Sequence, residues 1–210
     1  MKAMRQLTNQ THTTKASAQK VRFLPAMSAI GIILLLLTGC IVTSVYPFYT
    51  AKDVVFDQAL LGDWIDAVKT NEPNQFVRVE RLGEKGYLVT AFTDSETNST
   101  EAYLFRLKQQ LFLDVFPTNR SLDYLPVHQV SRVAGLTPKF ESTDLNYDWL
   151  TKLLEQKPDA IGHLVLPEKP GDTQGGRVVL TAETQELQRF ILKHLDNTNA
   201  WKEPSIWKHR

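Results

Sequence analysis

The only cysteine of the chain, Cys40, stands near the end of its longest apolar run. Residues 23–42, FLPAMSAIGIILLLLTGCIV, contain no charged side chain, and their densest apolar part is 30–37. A thiolate is a strong soft nucleophile, so a cysteine at this place suits the formation of a thioether. The two residues before it, Thr38 and Gly39, are small.

The charge of the chain is unevenly distributed. Residues 1–39 carry no Asp or Glu, and their basic residues are Lys2, Arg5, Lys15, Lys20 and Arg22. The remaining 171 residues carry 19 Lys and Arg against 23 Asp and Glu. A basic stretch before a short apolar core is typical of a secretory signal peptide. Because positive charge stays on the cytoplasmic side, we expect residues after 42 to lie outside the cytoplasm.

The residues Leu37, Thr38, Gly39 and Cys40 resemble a bacterial lipobox. The resemblance implies that a signal peptidase recognises Leu37, Thr38 and Gly39 and cuts before a diacylglyceryl-modified Cys40, whose new amine is then acylated. Several acyl chains anchor a protein stably, whereas one chain binds a membrane only marginally. The next residue, Ile41, is not Asp, which by resemblance to lipoprotein sorting in Gram-negative bacteria favours the outer membrane, facing the periplasm.

An uncleaved membrane helix is the alternative interpretation of this segment. Its 20 uncharged residues are long enough to cross about 30 Å of hydrocarbon. Pro25 and Ser28 weaken that interpretation, and it leaves the small residues before Cys40 unexplained. Both interpretations predict the same topology.

The chain therefore divides into three parts. We expect a lipoprotein signal peptide over 1–39, a lipidated N-terminus and tether over 40–56, and a β-rich globular domain over 57–210. The tether contains Tyr46, Phe48 and Tyr49, which predicts that it packs back on the domain. The alternative is an aromatic belt at the membrane interface, where Tyr is favoured.

Alternation of apolar and polar residues predicts strands over most of the domain. Val77 and Val79 alternate with Arg78 and Glu80, and the polar segment 94–100 is predicted to be a loop. The predicted strands are 61–68, 76–82, 87–93, 102–107, 111–116, 126–133, 139–142, 177–180 and, as a closing strand, 205–209.

Two helices are predicted after these hairpins. Asn146 is placed to cap a helix that runs to Gln156, and Thr181 to cap another that runs to about Asp196. Hairpins followed by helices predict an α+β fold, mainly antiparallel β, as a curled sheet or small barrel with two packed helices.

Catalytic and metal-binding patterns are not found in the sequence. No histidine has a partner at metal-ligand spacing, and no serine lies in a G-x-S-x-G context. Asp114 lies in the strand pattern at a position that points away from the core. We therefore predict no catalytic residue, no metal and no cofactor. The formal net charge of +1 also disfavours nucleic acid as a partner.

Gly62, Asp63 and Trp64 form a G-x-W motif that is similar to the lipocalin signature. In that family the tryptophan seals one end of an eight-stranded barrel, so the resemblance implies that Trp64 lies at a ligand-binding barrel end. Three further segments, 44–64, 145–150 and 180–194, are similar to a group of bacterial lipoproteins of unknown activity. That resemblance implies no ligand and no catalytic residue.

The sequence thus predicts a lipid-anchored envelope lipoprotein with a non-enzymatic binding or structural domain. Its partner is the membrane, through the anchor, and a protein or small-molecule partner is left open. Two alternatives stay open as well: a lipocalin-like carrier of small apolar ligands, and an envelope hydrolase.

Overall fold

The computed structural model describes residues 41–68, 75–94, 96–118, 127–166 and 177–210. The elements in these ranges are β1 (Val42–Ser44), β2 (Gly62–Asp66), β3 (Phe76–Leu82), β4 (Gly86–Phe92), β5 (Thr97–Leu107), β6 (Gln110–Pro117), β7 (Gln129–Gly135), β8 (Phe140–Asp144), α1 (Tyr147–Gln156), β9 (His163–Leu166), β10 (Arg177–Leu180), α2 (Thr184–Lys193) and β11 (Ser205–His209).

Eight of these strands form a closed antiparallel barrel. Their order is β11-β2-β3-β4-β5-β6-β7-β8, and β11 closes it by pairing with β2 on one side and β8 on the other. Trp207 of β11 lies opposite Asp66 and Phe140 in these two ladders. The predicted mainly antiparallel α+β fold with a small barrel and two helices is confirmed.

A second, three-stranded sheet lies outside the barrel, in the order β1-β10-β9. β1 runs parallel to β10, with Val42 opposite Val178, and β9 pairs with β10 in the antiparallel sense. β9 is an edge strand, and Leu164 and Val165 are exposed there.

The barrel separates two apolar cores because successive side chains of a strand face opposite sides. Inward-facing residues, among them Tyr87, Ala102 and Leu104, form the inner core. Outward-facing residues of β5 and β6 instead contact the helices and the small sheet; the outer core includes Phe105, Phe112, Leu150, Leu187 and Ile191.

The first part of the N-terminal segment packs on the outside of the barrel, whereas Leu60, just before β2, belongs to the inner core. Phe48 is fully buried, and the ring of Tyr49 lies 5.0 Å from that of Tyr103. The packing predicted for Phe48 and Tyr49 is thus confirmed. Tyr46 is exposed. The backbone N–H of Val55 donates to the carbonyl of Leu104 at 2.9 Å, so this segment also continues the pairing of β5.

The two helices differ in how well the sequence predicted their start. The Asn146 side chain accepts from the backbone N–H groups of Asp148 and Trp149, as expected for the cap of α1. The cap predicted at Thr181 is wrong, because its N–H donates to the carbonyl of Gly162 and continues the strand pairing. α2 begins at Thr184 after Glu183, whose side chain makes no cap bond. No helix in the described ranges is long and apolar enough to cross a membrane.

The predicted loop at 94–100 is also wrong in part, since β5 begins at Thr97. Thr100 is fully buried, and the hydroxyl of Ser99 lies 3.0 Å from that of Thr90 on the neighbouring strand. Pairing with β4 thus provides hydrogen-bond partners for a polar segment whose composition predicts a loop.

Candidate functional site

An apolar cavity of about 70 Å³ lies inside the barrel. Its lining residues come from strands on opposite walls of the barrel. Val89, Ala102 and Val115 form one wall, and Trp64 and Trp207 belong to the opposite one.

Solvent reaches part of this cavity. Val77, Val79, Leu113 and Val115 are inward-facing lining residues, yet each remains partly exposed. The cavity itself is partly open rather than enclosed, so part of its lining is accessible from outside. The barrel interior therefore offers an accessible apolar surface.

Trp64, the residue that the sequence singled out for a barrel end, lies in the cavity wall. Its indole Nε1 donates to the carbonyl of Leu60 at 2.9 Å, and its ring lies 3.8 Å from that of His209. Gly62 has a φ of +123°, and a Cβ there would lie 3.3 Å from the His209 ring. The two ends of the G-x-W motif thus meet the same histidine, and the indole is held in place.

Tyr87 is a second immobilised aromatic residue of the lining. Its hydroxyl accepts from the N–H of Asp57 at 2.7 Å and lies 3.1 Å from the Asp57 carbonyl, to which it donates. Burial raises the pKa of this phenol above its usual value. Tyr87 therefore stays neutral, and its hydrogen-bonding capacity is used within the protein.

Trp207 differs from both, although it lines the same cavity. The residue is 8% exposed, and its Nε1 has no hydrogen-bond partner among the described residues. Gln129 faces the interior as well, because it pairs with the lining residue Val115, and its Nε2 is also buried without a partner in that part of the chain. Sequence reasoning missed both residues, because their place in the interior follows from strand pairing and not from a local pattern.

Outside the barrel, Asp114 and His128 form a buried pair. The Asp114 carboxylate accepts from His128 Nδ1 at 2.7 Å and from the N–H of Phe48 at 2.9 Å. Burial raises the pKa of Asp114, and the hydrogen bond with His128 opposes that shift. Asp114 does point away from the barrel interior, but it is fully buried there.

This pair fastens the N-terminal segment to the barrel. Ser44 is joined to His128 only through the backbone, and its hydroxyl donates to the carbonyl of Leu180 at 3.3 Å. In the described ranges no group of three or more His, Cys, Asp or Glu is placed to hold a metal ion.

The four residues predicted for lipidation and cleavage, Leu37, Thr38, Gly39 and Cys40, lie outside the described residues, as does the whole of 1–39. The described residues begin at Ile41, and Val42 is the first residue of β1.

The apolar, solvent-open barrel interior is thus the candidate binding site. No protein-family model matches the chain, and neither a curated protein nor a solved structure is significantly similar to it.

Proposed function

We propose that this protein is a lipid-anchored envelope protein whose barrel binds a small apolar molecule. The observation that carries the proposal is the cavity between Trp64, Ala102 and Val115, which is apolar and open to solvent. Binding there removes apolar surface of both partners from water, at about 25 cal/mol per Å².

The size of the cavity limits what it holds. A single water needs roughly 10–15 Å³ of this kind of volume, so about five to seven water-sized spheres fit into the interior. Sites for drug-sized ligands span about 300–1,000 Å³. The cavity therefore suits a short aliphatic chain, the end of a longer one, or a small ring.

The anchor is supported by the lipobox-like sequence at 37–40 and by the packing of the chain that follows it. Only Ile41 separates Cys40 from β1, and two residues span about 7 Å at most. A lipid on Cys40 holds the small sheet and the attached barrel close to the bilayer surface. Apolar molecules are concentrated there.

Methyl NMR of the full chain in lipid nanodiscs tests the binding site. Titration with n-hexane is expected to shift the methyl signals of Val77, Val89 and Val115, while those of the outer-core residues Val42 and Val178 stay in place. The site is refuted if the inner and outer methyl signals shift alike or not at all.

A pair of alanine variants provides the matched control. Ala102 is fully buried in the cavity wall, whereas Ala134 is exposed on β7. Ala102→Leu fills the cavity and is expected to abolish the shifts, while Ala134→Leu leaves them unchanged.

Metabolic labelling with radioactive palmitate tests the anchor separately. The wild-type chain is expected to incorporate the label and Cys40→Ser to lose it. Equal labelling of the two proteins refutes the anchor and leaves the cavity proposal standing.

A further inference from the structure

We propose that the edge strand β9 lies against the membrane, with the side chains of Leu164, Val165 and Leu166 in contact with lipid. This inference rests on the proposed function, because the lipid on Cys40 brings the protein to the bilayer. It adds a second, non-covalent membrane contact and thereby names the face of the protein that is turned towards the bilayer.

The first observation is a run of exposed apolar residues. Leu164 is 55% exposed, Val165 63% and Leu166 43%. In the described ranges only two other large apolar residues are exposed, Tyr46 and Val68. Contiguous exposed apolar residues mark contacts with another protein or with a membrane, whereas single ones are ordinary. The run on β9 therefore calls for a partner.

The second observation is that β9 lacks the usual protection of an edge strand. Within the described sheet it pairs only with β10, over four regular residue pairs without a bulge. Native edge strands are commonly protected by charged residues, proline or a bulge. The sequence of β9, HLVL, contains no proline, Lys, Arg, Asp or Glu. An apolar cover suits this strand better than water does.

The third observation is the distance between β9 and the anchor. Val42, Val178 and Val165 lie in one row across the small sheet. Neighbouring strands are about 4.8 Å apart, so Val165 lies about 10 Å from Val42. Cys40 precedes Val42 by two residues, which span at most about 7 Å. The lipidated residue thus lies within about 17 Å of Val165.

The direction of β9 brings its end still closer to the anchor. β1 is parallel to β10, and β9 is antiparallel to both. β9 therefore runs towards the end of the sheet at which β1 begins. Leu166 lies opposite Arg177, one residue before Val178, on the side of the row where Cys40 precedes β1.

The bilayer is the occupant that this geometry favours. The anchor holds β9 within reach of lipid at all times, so the contact is intramolecular in effect and needs no further association. The interfacial region of a leaflet is about 5–8 Å thick, which is deep enough to cover the side chains of one strand. Apolar side chains placed there leave water, and a second membrane contact strengthens attachment by an anchor.

Methyl NMR of the lipidated full chain in nanodiscs with nitroxide-labelled phosphatidylcholine tests the contact. The methyl signals of Leu164, Val165 and Leu166 are expected to lose intensity, most strongly at Leu166. Val68 is the matched exposed residue, because it follows β2, three strands around the barrel from β7, beside which Ser44 of β1 bridges to His128. Its signal is expected to persist. A water-soluble gadolinium chelate is expected to give the reverse pattern.

Two aspartate variants show whether the apolar side chains make the contact. Leu166→Asp is expected to lift β9 from the lipid, so that the nitroxide lipid broadens Leu164 and Val165 less. Val68→Asp is the matched control and is expected to leave their broadening unchanged. Both sites are exposed, and unchanged inner-core methyl signals of Val77 and Val89 confirm that each variant is folded.

A cysteine variant tests a second copy of the chain as the occupant. Lipidation consumes the Cys40 thiol, so Leu164→Cys introduces the only free thiol of the lipidated protein. A disulfide-linked dimer formed in membranes would assign β9 to pairing between copies and overturn the proposal. A monomer under the same oxidising conditions supports the lipid contact.

The outcomes separate this inference from the anchor. If palmitate is incorporated but the β9 methyl signals are broadened no more than that of Val68, the contact is refuted while the anchor stands. If palmitate is absent but β9 is broadened, the contact stands and the anchor is refuted. If neither is observed, both fail.

Discussion

Replacing Asp114 by Ala is expected to detach the N-terminal segment from the barrel and to lower the free energy of unfolding substantially. The carboxylate holds two groups at once: the N–H of Phe48 at 2.9 Å and Nδ1 of His128 at 2.7 Å. Phe48 and Asp114 are fully buried, and the His128 side chain is 13% exposed.

The magnitude follows from the partners that are left behind. Each buried polar group without a partner costs about 1–3 kcal/mol. Because His128 retains some access to solvent, we expect its share to lie at the low end and the total to be about 2–4 kcal/mol. Urea unfolding followed by tryptophan fluorescence measures this value, with Asp159→Ala, an exposed carboxylate, as the control that stays within about 0.5 kcal/mol.

Hydrogen exchange shows whether the loss is local. The Phe48 amide is expected to exchange faster in Asp114→Ala at urea concentrations where the barrel is still folded. A loss below about 1 kcal/mol, with unchanged exchange at Phe48, would show that the pair does not hold the segment.

The same carboxyl group predicts a pH dependence. Burial raises the pKa of Asp114 in the folded state, so the folded protein binds more protons than the unfolded one between the unfolded and folded pKa values. Its contribution to stability is therefore complete below the unfolded pKa and is lost as the pH rises through the folded pKa. Asp114→Asn removes this slope; an identical pH profile for wild type and variant contradicts the buried-carboxyl argument.

Three further tests of the fold use the same urea unfolding measurement. Asn146→Ala is expected to cost about 1 kcal/mol through loss of the α1 cap, while Glu183→Ala, which removes no cap bond, leaves stability unchanged. Gly62→Ala is expected to cost about 1–3 kcal/mol, because φ is +123° and the new Cβ meets the His209 ring; a neutral effect contradicts this. Leu187→Ala is expected to cost about 2–5 kcal/mol and Leu164→Ala less than about 0.5 kcal/mol, since Leu187 is fully buried and Leu164 is 55% exposed. Equal losses in this last pair refute the assigned burial.

Local sequence patterns predicted the elements in which the preferences of each residue match its burial and hydrogen bonds in the fold. β3 was predictable because Val77 and Val79 face the inner core while Arg78 and Glu80 face outward. The start of α1 was predictable because Asn146 makes the cap bonds that its side chain favours. The start of α2 was not, since the Glu183 side chain forms no cap.

The candidate site depends on contacts that no local pattern contains. Trp64 was found from a short motif, but Trp207 gains its importance only when β11 closes the barrel between β2 and β8. The pair of Asp114 and His128 depends in the same way on the packing of Phe48 against a strand 66 residues further along the chain.

Native mass spectrometry of the protein extracted from the membranes of the cells that produce it tests the central claim most directly. We expect wild type and Ala134→Leu to carry a small apolar molecule and Ala102→Leu to carry none. If wild type and Ala102→Leu both show only the mass of their own chains, with no bound molecule, the result would contradict a binding function of the barrel.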